Sequence, residues 1–80
     1  MSEINIPSAV ANHVLFHESR GGYPAGSFTT KLLDAWAFAD DANAARLAAG
    51  WPEYAAAFAL LGQREGKGLD ELKAIANRTA

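Results

Sequence analysis

The chain has 80 residues, a net charge of −2 and no cysteine, which bounds it to one small domain without disulfides or thiolate metal sites. Half of it is hydrophobic, but eighteen of those residues are alanine, so bulky core-forming groups are few. Alanine favours helix, and eight β-branched residues are too few for a large sheet.

Residues 1–7, MSEINIP, alternate about Ile4 and Ile6 and read as a short extended arm. Pro7 suits a helix start, with Ser8 as the competing N-cap. The first helix is expected from about Ser8 to Ser19, stopping at Gly21-Gly22. At 100° per residue Val10, His13, Val14 and His17 share one side, Ala11 and Leu15 another, and Phe16 points elsewhere. Such a helix is central or sandwiched. The apolar run Val14-Leu15-Phe16 leaves a strand over residues 13–17 as the alternative.

Tyr23-Pro24-Ala25-Gly26 places proline second and glycine fourth, the preference of a type I turn. Ser27 is then expected to cap a second helix reaching Ala39. Phe28, Leu32, Ala35, Trp36 and Ala39 form its apolar stripe, while Lys31, Asp34 and Phe38 share the opposite side. Asp40 or Asp41 caps a third helix with Ala44, Leu47 and Ala48 inward. Gly50 ends it, and Trp51 folds back onto Leu47.

Pro52 and Glu53 open a fourth helix. Its run YAAAFALL is apolar all round and is expected to be central. Residues 62–68, GQREGKG, read as a flexible glycine-rich connector. Asp70 then caps a last helix with Leu72, Ile75 and Ala76 on one face, and the tail NRTA frays. The whole, residues 1–80, is one all-α domain: a compact bundle of four to five short helices. The longest apolar run, Tyr54 to Leu61, falls well short of the roughly 18 residues of a membrane span. The first ten residues hold no basic residue and no signal-length apolar run. A soluble, cytoplasmic chain is expected, with no membrane partner.

Motifs that carry chemistry are sparse. Gly21 and Gly26 have the glycine spacing of a phosphate loop, but Ser27 stands where its lysine belongs and a helix precedes it. His13 and His17 lie four residues apart and could both reach a metal, yet the order is HxxxHE and Glu18 is expected on another side of the helix. Asp40 and Asp41 are explained by capping. Ser8, Ser19 and Ser27 lack a nucleophile setting. The would-be reading helix of a helix-turn-helix, DANAARLAAG, has one arginine behind two aspartates. The seven basic residues form no stripe, so nucleic acid is not an expected partner. No catalytic residue, cofactor or metal is assigned.

The stretch from Gly22 to Phe58 resembles small uncharacterised proteins encoded by bacteriophages of actinobacteria. The resemblance rests on Gly22-x-Pro24-x-Gly26-x-Phe28, Leu32-Leu33, Ala39-Asp40, Asn43, Arg46-Leu47 and Trp51-Pro52-x-Tyr54, and covers roughly residues 13–60. It implies a phage origin and a host-cytoplasm setting, and carries no catalytic residues with it.

Among the aromatics, Phe28, Trp36, Trp51, Tyr54 and Phe58 fit core positions at helical spacing. Phe16, Tyr23 and Phe38 do not, and exposed aromatics tend to mark interfaces. The expected function is therefore non-catalytic: a phage accessory protein that associates with itself or binds a host protein. Phe16, Tyr23 and Phe38 are its anchors, framed by Lys31 and Asp34. The alternatives are a small regulator that binds DNA or inhibits a nucleic-acid enzyme, and a histidine-based metal-binding protein.

Overall fold

The computed structural model describes residues 5–62 and 67–78. They form five helices: α1 Ser8–His17, α2 Ser27–Phe38, α3 Asp41–Gly50, α4 Pro52–Leu61 and α5 Lys67–Ala76. No strand occurs among the described residues, and 13–17 are helical rather than extended. The all-α bundle expected from composition is the observed class.

The centre is built by α1, α4 and α5. Its fully buried residues are Ile6 from the arm, Ala11, Val14 and Leu15 from α1, Ala57 from α4 and Leu72 from α5. α1 buries two of its sides, which is why its apolar residues are not confined to one stripe. α4 packs on α1, α3 and α5, as its all-round apolar run requires. Each fully buried leucine contributes about 1.5–3 kcal/mol by leaving water.

Close approach of α5 to α4 depends on one glycine. Gly68 is buried in the first turn of α5, and a Cβ there would run into the backbone carbonyl of Leu60. The helix also begins earlier than its sequence suggests: Asp70 lies inside the first turn, where its charge suits the helix dipole, rather than capping it. Of the expected 62–68 connector, Lys67 and Gly68 therefore belong to α5, and residues 63–66 lie outside the described chain. At the other end of α5, Arg78 donates to the carbonyl of Ile6 over 2.6 Å and ties this point of the chain to the arm, while residues 79–80 of the tail expected to fray lie outside the described residues.

Asn12 makes the second tie. Its amide nitrogen donates to the carbonyls of Ser8 at 2.9 Å and Ala76 at 3.0 Å, satisfying an orphan acceptor at the end of α5. The residue reads in sequence as part of a polar wedge. Its partner is 64 positions away and invisible to local pattern.

The end of α1 differs from expectation. The amide of Arg20 donates to Leu15 O and that of Ser19 to Phe16 O, the paired bonds of a Schellman cap. Ser19 occupies the left-handed position, φ 61°, usually taken by glycine. Gly21 and Gly22 follow in the turn. Gly22, φ 70°, passes so close to the Asn12 carbonyl that no side chain fits. Tyr23–Gly26 then has no regular structure and no turn, contrary to the expected type I turn. Gly26 is the N-cap of α2 and Ser27 its first residue, without a side-chain cap bond.

α3 starts as its aspartates predict: Asp40 accepts from the Asn43 amide at 2.9 Å. It ends differently. Gly50 is the last helical residue and is not left-handed; the chain turns at Trp51, φ −134°, which caps both α3 and α4.

Candidate functional site

The five residues expected to form an interaction site fall into two neighbourhoods joined by α2. Phe16, at the last turn of α1, is 49% exposed, and Tyr23 in the following loop is 47% exposed. Both lie near His13. The Tyr23 ring meets His13 edge-on, centroids 5.5 Å apart, and Phe16, His13 and His17 help line an open cleft of about 250 Å³ between α1 and α2. Phe38 sits at the far end of α2 and is 90% exposed. It borders a second, apolar groove of about 530 Å³ between α2 and α3, lined with Ala35, Leu47 and Trp51. Lys31 and Asp34 lie between the two, both exposed on α2.

Phe28 requires correction. Periodicity places it on the buried stripe of α2, yet it is 69% exposed. It stands in the first turn, where the stripe has run past the end of the core, and its nearest aromatic is Trp51, centroids 6.4 Å away. Leu33, off that stripe, is fully buried instead, with Leu32 nearly so. α2 touches α1 on one side and α3 on the other, while Trp36 packs on Phe58 of α4, centroids 5.2 Å apart. A single periodic face cannot describe a helix with neighbours in several directions. Trp36, Trp51, Tyr54 and Phe58 are partly buried.

The histidines, one turn apart, take different roles. His13 shares a 2.8 Å hydrogen bond through Nδ1 with the Tyr54 hydroxyl, and burial lowers its pKa from the ordinary 6.5. Burial also raises that of the Tyr54 phenol, although Thr29 opposes the shift. His17 places Nδ1 2.7 Å from Glu18 Oε2 and Nε2 2.9 Å from Asp34 Oδ1. Only an imidazolium can donate both bonds. Burial opposes its charge, but the bonds to Asp34 and then Glu18, with the charges of both, outweigh it and raise the pKa. Glu18 reaches His17 because α1 has already ended there; its backbone, φ −92° and ψ 9°, is no longer helical. The expectation that Glu18 points to another side assumed a longer helix.

His17 thus links α1 to the middle of α2 through Asp34, the one anchor-framing residue with a partner in another helix. Among the described residues no group of three or more His, Asp or Glu side chains is arranged to hold a metal ion, and no helix is long and apolar enough to cross a membrane. No protein-family model, curated protein or solved structure matches the chain.

Proposed function

We propose that this protein is a non-catalytic binding module that associates with itself through the α2–α3 side. One observation carries the reading: of the two most exposed large apolar residues described, Phe38 lines an open apolar groove and Phe28 stands against Trp51, which lines the same groove. Isolated exposed hydrophobes are ordinary, but aromatics gathered around a groove are characteristic of an interface. Covering one phenylalanine removes about 1.5–3 kcal/mol of unfavourable hydration. Phe16, on the lining of the His17 cleft, and Tyr23, edge-on to His13, are open to a host protein. A phage accessory role in the host cytoplasm is part of the proposal and rests on the residue resemblance alone.

Sedimentation equilibrium from micromolar to millimolar chain tests it. The apparent mass rises with concentration, and Phe38→Ser weakens association by about thirtyfold, the effect of losing about 1 kcal/mol of ring contact from each of two copies, while helicity stays unchanged. A folded monomer throughout, insensitive to Phe38→Ser, rejects self-association.

A further inference from the structure

Resting on that self-association reading, we infer that two copies pair through α2, antiparallel, about a two-fold axis level with residue 33. The outer side of α2 carries Phe28, Lys31, Ala35 and Phe38, all exposed. Their 3-4-3 spacing is that of a seam between paired helices. The inner sides are already committed: Leu32 and Leu33 are buried, and Trp36 packs on Phe58. Ser27, Thr30, Asp34 and Ala37 are also exposed but hold no bulky apolar group, so the row with both phenylalanines is the one that gains most from a second copy.

Charge selects the direction. Among the described residues Lys31 is in no ion pair, although Asp34 lies three residues on along the same helix. Asp34 engages His17 through Oδ1. A parallel pair sets Lys31 against Lys31 and Asp34 against Asp34. Turning one helix about the level of residue 33 sets Phe28 opposite Phe38 of the second copy, and Lys31 opposite the Ala35–Asp34 step. Both symmetry-related lysines then meet an aspartate, and each exposed phenylalanine meets another.

Ala35 near the centre lets the axes approach to the 8–10 Å of packed helices. Phe28 to Phe38 spans about 15 Å at 1.5 Å per residue. A contact of that length buries less than the roughly 1,200 Å² of a standard interface, so the dimer is weak and concentration-dependent. Because the surface pairs with itself, it closes at two copies.

Charge exchange tests the direction. Lys31→Glu alone and Asp34→Lys alone each weaken association about tenfold or more, since each homodimer then holds two like-charge contacts. Mixing the two variants restores it, because both contacts of the mixed pair again unite opposite charges. Asp34→Lys also removes the bond to His17, so a second test avoids that residue. The chain has no native cysteine; Lys31→Cys mixed with Ala35→Cys yields a disulfide-linked heterodimer under mild oxidation, well ahead of either variant alone. Dimers that show neither restoration nor this crosslink overturn the antiparallel α2 pairing and leave self-association standing. A monomer at every concentration overturns both.

Discussion

The α1–α4–α5 unit and the α2–α3 hairpin are made from similar material and end in different states. The first encloses Ile6, Ala11, Val14, Leu15, Ala57 and Leu72, and is tied across its ends by Asn12 and Arg78. In the second, α3 has no fully buried residue, α2 has only Leu32 and Leu33, and Phe28 and Phe38 stand in water. Eighty residues cannot cover every apolar face they make. One part of this molecule covers most of its apolar surface by its own packing, and the other leaves two phenylalanines in water.

The largest break in that contrast comes from equal truncations in the two parts. Leu72→Ala removes a fully buried side chain of the central unit, and urea unfolding is expected to show a loss of about 3 kcal/mol. Leu47→Ala, on partly buried α3, costs less than half of that in the monomer. Equal losses would show that the hairpin is as firmly built as the centre, and the comparison would collapse.

A smaller effect lies at the junction. Ser19 holds the left-handed position of the α1 cap with no glycine's freedom to do so. Ser19→Gly is expected to raise the unfolding free energy by about 1 kcal/mol, read as a higher urea midpoint at constant slope. No gain, or a loss, means that the serine makes a compensating bond in solution and the strain assignment is wrong.

The smallest effect is a pH dependence of the clamp between the two parts. The folded pKa of His17 is raised, so its stabilisation is complete below the unfolded value of 6.5 and is lost as pH rises through the folded value. The stability gap between the native chain and His17→Gln should therefore be widest near pH 5.5 and close towards pH 9. It should stay under roughly 1 kcal/mol, because both carboxylates are open to solvent screening. His13 works in the other direction: burial lowers its pKa, so its contribution is lost as pH falls below 6.5. Comparing variants at His17 alone separates the two. A gap that widens with pH reverses the sign and removes the ion-pair reading.

Much of the fold was legible. Pro7, Asp40 and Pro52 open helices within a residue of where they are read, since such starts depend on groups only a few positions apart. Phe16 and Phe38 could be singled out because each breaks the period of its helix, and Tyr23 because it stands in a loop, and all three are exposed. The α1 stop and the start of α5 depart from their local signals for the same reason in reverse. Glycine at 21 and 22 and aspartate at 70 are strong signals, but Ser19 is held left-handed by its cap bonds, and α5 opens early enough to seat Gly68 on Leu60.

Local chemistry along the chain sets helix content, most helix starts and the surplus of rings, because propensity and capping act over one or two turns. Which rings stay in water is a different matter. By local pattern Phe28 reads as core and Asn12 as part of a polar wedge, but their surroundings depend on how far each helix extends past its neighbour and on which carbonyl ends up opposite. Those distances arise from packing between segments up to 64 positions apart, and no window along the chain contains both partners.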